Sequence, residues 1–209
     1  MRGLLSTGGY KINKDILYKY SKDSFIICAD SGIENFIDTD IIPGMVVGDF
    51  DSSDENSLKF IEKNKIKIKK YPAKKDYTDT EIAVDVFLKN KFKEVNIISA
   101  IGTRFDHTIA NVFLLRKLYG QCKAKIIDNH NEVIYCEKSN IKIQKDGFKY
   151  LSIIPLSENV RVSSKGLLYE TDNLNISLNS TLGVSNEIIE DLTEITLHSG
   201  NCLIIKSKD

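Results

Sequence analysis

Carboxylates recur at four places in the first half of this 209-residue chain, each just after a short apolar run. The segments are Asp30-Ser31-Gly32, Asp49-Phe50-Asp51-Ser52, Lys75-Asp76-Tyr77-Thr78-Asp79 and Gly102-Thr103-Arg104-Phe105-Asp106-His107. Asp49 and Asp51 are two positions apart, so on a continuing strand both would project to one side. Two adjacent carboxylates repel, and a divalent cation resolves the repulsion; Mg²⁺ suits one or two carboxylates together with phosphate oxygens. The competing reading is a loop whose aspartates cap backbone N–H groups, Asp51 standing before the next helix. Clustering with Asp30, Asp79 and Asp106 favours the metal.

The other positions also carry two readings. Thr78-Asp79-Thr80-Glu81 has the form of a capping box, with Thr78 as N-cap and Glu81 reciprocating. The same helix start would offer N–H groups to a phosphate. Gly102 permits a tight turn, Arg104 can fork onto phosphate oxygens, and Asp106 either caps the helix that follows or joins the carboxylates. His107 reads as a general base or, more blandly, as a hydrogen-bonded residue at a helix start, with Asn111 four residues on along the same face. The Gly8-Gly9 pair is either a phosphate loop or a plain turn. No Walker A sequence, GxGxxG fingerprint or GxSxG elbow occurs.

Elements must bring these loops together. Apolar runs at Gly3–Ser6, Phe25–Ala29, Met45–Gly48, Ile66–Lys70, Val95–Ala100 and Ala124–Asp128 predict strands. Helical periodicity falls at Asp54–Asn64, Thr78–Asn90 and Asp106–Tyr119, with a shorter stretch near Ile33–Asp38. Alternation of this kind predicts an α/β domain over residues 1–129, a mainly parallel sheet with helices on both faces. Its ligands would lie beyond the carboxyl ends of the strands, where all four acidic segments fall.

From residue 130 to 209 the pattern changes to short runs at Glu132–Cys136, Ile141–Gln144, Tyr150–Pro155, Val160–Ser163, Leu174–Leu178, Glu194–His198 and Cys202–Lys206. These predict a small all-β, sandwich-like domain. Eighty residues make a marginal core, so this domain is expected to lean on another surface.

Composition narrows the function. Lys and Arg total 29 against 29 Asp and Glu, which leaves no cationic surplus for nucleic acid. With 42% hydrophobic residues, no transmembrane-length apolar run and no signal pattern, the chain reads as a cytoplasmic globular protein without a membrane partner. Cys28, Cys122, Cys136 and Cys202 are scattered and read as unpaired, Cys28, Cys136 and Cys202 as small buried hydrophobes.

The order of these motifs resembles the thiamine pyrophosphokinase family, bacterial members in particular. The resemblance extends to Gly166-Leu167-Leu168-Tyr169 and Gly183-Val184-Ser185-Asn186-Glu187 and covers nearly the whole chain. It implies transfer of the pyrophosphoryl group of ATP to the hydroxyl of thiamine, giving thiamine diphosphate and AMP. It implies a homodimer with active sites at the subunit interface, the β domain serving thiamine binding and dimerisation.

By the same resemblance Asp49, Asp51, Asp79, Asp106 and Arg104 are catalytic, and Asp49, Asp51 and Asp79 hold Mg²⁺. Asp30, Thr78, Gly102, Thr103, Arg104 and His107 would bind ATP, while Asp79, Tyr169, Ser185 and Asn186 would bind thiamine. The chain departs from the family's pattern in having Ser31 and Thr103 where glycines are usual, and Leu168 and Glu170 where Lys and Pro are common. A ligand-sensing module and a Mg²⁺-dependent phosphohydrolase are the rival readings.

Overall fold

Six strands of the first 129 residues form a sheet in which every pairing is parallel. They are β1 (Arg2–Ser6), β2 (Ser24–Ala29), β3 (Met45–Gly48), β4 (Lys67–Lys70), β5 (Glu94–Ile98) and β6 (Lys123–Ile127). The computed structural model describes residues 1–48, 54–70 and 76–209, so Asp49, Asp51 and Lys75 lie outside the described residues. Strand order is β6-β5-β1-β2-β3-β4. From β1 the chain builds outward through β2, β3 and β4, then returns to place β5 and β6 on the other side. The order therefore reverses between β1 and β5, the kind of switch point at which open α/β sheets bind ligands.

Among the described residues four helices accompany the sheet: α1 (Lys14–Ser21), α2 (Glu55–Lys63), α3 (Asp79–Lys89) and α4 (Phe105–Leu118). A 3-10 turn, Asp30–Asn35, follows β2 directly. Leu4, Ile26, Cys28, Val46 and Ile98 share one core with Leu17 of α1, Ile33 of the turn and Ile61 of α2. Phe87 of α3 lies against Gly3, one residue from Leu4 on β1 and so on the opposite face. Helices thus cover both faces, which explains strands that are buried continuously rather than alternately, as in β3. The exception is β4, an edge strand whose Lys67, Lys69 and Lys70 discourage further pairing.

The cap of α2 is Asp54, not Asp51: its carboxylate accepts from Asn56 N at 2.8 Å and Ser57 N at 3.1 Å. The hydroxyl of Ser57, donating to the same carboxylate, is the main reason that group is held below its ordinary range. Helix α1 was not expected from periodicity, because its eight residues bury only Leu17. The stretch read as a short helix near Ile33–Asp38 is the 3-10 turn, which begins three residues earlier.

Residues His130–Asp209 form a second unit, Met1–Asn129 being the first. Its strands are β7 (Asn131–Gln144), β8 (Tyr150–Pro155), β9 (Val160–Lys165), β10 (Thr171–Ile176), β11 (Asn186–Glu187) and β12 (Leu192–Ser207). All their mutual pairings are antiparallel. The runs expected as four strands, Glu132–Cys136, Ile141–Gln144, Glu194–His198 and Cys202–Lys206, are halves of two long ones. β7 and β12 pair from Leu192↔Gln144 to Ser207↔Asn131, with the register shifting between Leu197 and Asn201.

At that bend three residues of β12 oppose one of β7, a bulge that turns the ribbon on itself. Inward residues of β12 change from Ile195 and Leu197 to Cys202 and Ile204. The first half of β12 pairs with β9 and the second with β8, so two half-sheets close around one apolar core. All four cysteines are free, and Cys28, Cys136 and Cys202 are buried as expected. No helix among the described residues is long and apolar enough to cross a membrane.

Candidate active site

The carboxyl ends of β1, β2 and β5 open into a cavity of about 250 Å³ in the α/β unit. Its walls include Thr7, Gly8 and Gly9 after β1, Asp30 and Ser31 after β2, Thr80 at the start of α3, and Gly102 to Arg104 with His107 and Asn111. Backbone ties make this frame rigid. Gly9 N donates to Ser99 O at 2.7 Å and Tyr10 N to Ile101 O at 2.8 Å. A Cβ on Gly9 would lie 2.3 Å from two carbonyl oxygens, so only glycine allows the β1 and β5 loops to close this tightly. The Gly8-Gly9 pair therefore lines the cavity and also forms the packed turn.

Thr7 Oγ1 donates to Ser99 O, and Asn111 Nδ2 donates to Ala100 O at 2.9 Å. Gly102 N donates to Thr108 Oγ1 at 3.2 Å, pinning the loop to α4. These bonds consume loop carbonyls and keep the lining groups in fixed directions. Asp30 takes up the left-handed backbone, φ 49°, and its carboxylate lies over Gly48 at the end of β3. A Cβ on Gly48 would come within 2.7 Å of Asp30 Oδ1.

At α3, Thr78 is the N-cap and its hydroxyl accepts from Glu81 N at 3.2 Å. Only half of the expected capping box is present, because the Glu81 carboxylate pairs with Lys117 at 2.9 Å on α4. Asp79 is buried in the first turn and Thr80 beside it faces the cavity. At α4 the N-cap is Arg104, without a side-chain cap, which corrects the reading of Asp106 as the capping residue. Asp106 instead receives the Arg104 fork, Nε–Oδ1 at 3.2 Å and Nη2–Oδ2 at 2.6 Å. That pair pulls the Asp106 carboxyl down to about 2, chiefly through the hydrogen bond from Arg104. Both side chains are about two-thirds exposed, at 69% and 65%, and Arg104 is the one that lines the cavity.

Asp30, Thr80, Gly102, Thr103, Arg104 and His107 thus surround one cavity, with Thr78 and Asp79 at the adjoining helix start and Asp106 held on the outer side of Arg104. No group of three or more His, Cys, Asp or Glu side chains able to hold a metal occurs among the described residues, which do not include Asp49 and Asp51.

The β unit holds a second cavity, about 400 Å³, between its half-sheets. Leu151, Ile153, Val162, Leu167, Leu174 and Ile176 give it an apolar floor, and Tyr169, Ser185 and Asn186 stand along it. The side-chain amide of Asn186 clasps the backbone of Tyr169, accepting from its N–H at 3.0 Å and donating to its carbonyl at 2.7 Å. Ser185 is left-handed, φ 60°, and its N–H donates to Ser152 Oγ at 2.9 Å. Tyr169 is 71% exposed, with its backbone held by Asn186.

Two family profiles match this chain. One described as the catalytic domain of thiamin pyrophosphokinase covers residues 17–127, and one described as its vitamin B1 binding domain covers residues 138–202. The chain belongs to the thiamin pyrophosphokinase family. The thiamine pyrophosphokinase of Bacillus subtilis is 34% identical over 186 residues, spanning 88% of this chain and 87% of that protein. A crystal structure of the Bacillus subtilis thiamine pyrophosphokinase superposes with a TM-score of 0.91 at 30% identity, covering all of both chains. That of the Geobacillus thermodenitrificans thiamin pyrophosphokinase gives 0.90 at 28% identity, over 100% of this chain and 98% of that one.

Thiamine pyrophosphokinase activity, with ATP and thiamine as substrates, follows from membership of the family. Within the thiamin pyrophosphokinase frame, sequence reasoning missed several lining groups. Thr7 and Ala29 are strand-end residues of ordinary type, and Leu182 and Val184 sit in a polar stretch that reads as loop. The Gly8-Gly9 doublet was the one signal for the β1 wall.

Proposed function

We propose that the α/β cavity takes the Mg²⁺-bound triphosphate of ATP and that the β-unit cavity takes thiamine. The observation that carries this is the contrast in linings. One site is built of backbone, hydroxyls, Arg104 and the start of α3 at a sheet switch point; the other is an apolar trough with a presented tyrosine. A triphosphate needs fixed dipoles and cations. A thiazolium and an aminopyrimidine need flat apolar surface and an aromatic face.

The transfer requires attack by the thiamine hydroxyl oxygen on the β-phosphorus of ATP. The bond from that phosphorus to the α-side bridging oxygen breaks, and AMP leaves. Positioning and charge neutralisation dominate such chemistry. Arg104, at the mouth, is placed to take a phosphate oxygen. Reaching inward would exchange its bond to Asp106 for one to the nucleotide, leaving Asp106 a free carboxylate at the rim. The start of α3 presents N–H groups next to Thr80. Asp79 would orient the thiamine hydroxyl and accept its proton.

Asp49, Asp51 and Asp79 would hold Mg²⁺, and the hard carboxylate oxygens of Asp30 and Asp79 at this end of the sheet fit such an ion. When bound, it would neutralise phosphate charge. We place the enzyme in the cytoplasm, supported by its four free cysteines. A homodimer is supported by exposed apolar side chains of the β unit, Leu182 and Val184 at its cavity and Leu168 next to Tyr169 in the chain. Light scattering that gave one chain per particle would remove the dimer.

Incubation with ATP, Mg²⁺ and thiamine should release AMP and thiamine diphosphate in equal amounts. Binding of both ligands without AMP would make the chain a sensor, and inorganic phosphate formed without thiamine would make it a hydrolase.

A further inference from the structure

One side chain outside both cavities ties the walls of the first together. Asn35 ends the 3-10 turn and is half-buried, and it does not line the cavity. Its Oδ1 accepts from Ile12 N at 3.1 Å, and its Nδ2 donates to Ser6 Oγ at 3.0 Å and to Ser99 Oγ at 3.0 Å. Ser6 Oγ passes the connection on, donating to Gly32 O at 2.8 Å. The amide therefore joins the end of β1, the far end of the loop after it, the end of β5 and the turn after β2.

The partner on β5 is itself unusual. Ser99 holds a left-handed φ of 53°, costly for a residue with a side chain. Its carbonyl receives Gly9 N and Thr7 Oγ1, two groups of the cavity wall. A shift of Ser99 would carry that wall with it. No side chain of Asn size other than an amide supplies one acceptor and two donors in a single plane.

We infer that Asn35 is a positioning residue for the nucleotide half of the reaction, setting the three loops that receive ATP without touching it. The inference rests on the reading of the α/β cavity as the ATP site. It distinguishes ATP from thiamine, because every group in the network belongs to the α/β unit and the Tyr169 pocket has its own framework.

Steady-state kinetics and melting curves of the full chain test it. Asn35→Leu should raise KM for ATP by roughly tenfold, the scale of one or two lost buried hydrogen bonds, with KM for thiamine within about twofold of the parent. Asn35→Asp keeps the acceptor for Ile12 but loses both donors. Its KM for ATP should rise by a smaller factor than that of Asn35→Leu, because the bond from Ile12 N is kept.

Should Asn35→Leu fail to fold, Ser99→Ala removes one accepted bond and should raise KM for ATP by about threefold. An unmoved KM for ATP overturns the inference. So does an equal rise in both KM values, or an Asn35→Asp variant whose KM for ATP is no better than that of Asn35→Leu. Arg104→Ala separates the two levels. If it raises KM for ATP while the Asn35 variants do not, the cavity is the ATP site and Asn35 only structural; if it leaves KM for ATP unchanged, both readings fall.

Discussion

The two cavities of this enzyme are built from opposite materials. In the α/β unit the lining is backbone and short polar side chains, and its hydroxyls and amides are mostly spent on holding one another. Thr7, Thr108 and Asn111 each bond a neighbouring loop, so the cavity's polar groups are rigid before any ligand arrives. In the β unit the floor is aliphatic, and the polar residues shape the backbone instead: Asn186 clasps Tyr169 and Ser152 holds Ser185. A charged ligand gains from prearranged dipoles, whereas a flat organic cation gains from contact area. The difference supports the proposed placing of the two substrates, and it implies that damage to one cavity should appear in the kinetics of one substrate.

The largest effect should come where the two substrates meet chemically. Asp79→Asn removes the group proposed to receive the thiamine proton, and kcat should fall by about a hundredfold or more, the usual scale for a general base. KM for ATP should rise as well, because Asp79 is also proposed to hold the Mg²⁺ of the nucleotide, while KM for thiamine should stay near that of the parent. If the loss appears in KM for ATP alone, Asp79 belongs to the phosphate frame and the proton goes elsewhere.

Much of this layout could be read from residues alone. Apolar runs followed by acidic segments place loops at one sheet edge whatever the strand order, which is why Asp30, Arg104 and His107 were found. The order itself was not legible, and with it the switch point between β1 and β5, because parallel pairing partners leave no mark in local pattern. Asn35 escaped for a different reason. A polar residue near the end of a short turn looks like a solvent-facing one, and only three-dimensional closure brings Ser6 and Ser99 to it. The bend of β7 and β12 was hidden in Glu137-Lys138-Ser139-Asn140 and Ser199-Gly200-Asn201, polar stretches that read as turns between separate strands. Glu81 shows the limit of local motifs, since the capping box predicted from four residues lost its second bond to Lys117 on α4.

In the β unit the comparison sharpens to a single ring. Tyr169→Ala should raise KM for thiamine by roughly tenfold, as expected for one aromatic or cation–π contact, and leave KM for ATP within about twofold. The reverse ranking would exchange the substrates between the cavities. Asn186→Ala leaves the ring in place but frees the backbone that presents it. KM for thiamine should then rise by about threefold to fivefold, the scale of one net hydrogen bond, and adding Asn186→Ala to Tyr169→Ala should change little further. Full additivity would mean that Asn186 meets thiamine directly rather than through Tyr169.

The smallest effect concerns pH. The Asp106 carboxyl, drawn down to about 2 by Arg104, is ionised at any pH where the enzyme would be assayed. A depressed folded-state value means that the carboxylate's favourable interaction is fully present above the ordinary value of 3.8 and is lost only as the pH falls toward 2. Asp106→Asn should therefore change activity by the same factor from pH 5 to 9, giving a profile parallel to that of the parent. Lines that converge toward pH 5 would show Asp106 titrating during turnover. That would require Arg104 to have left it, as the proposed reach of Arg104 toward the triphosphate demands for part of the cycle. A parallel pair of profiles fits that exchange too, because a released carboxylate with the ordinary value of 3.8 is still ionised at pH 5, whereas convergence would require the rim to raise that value once Arg104 has gone.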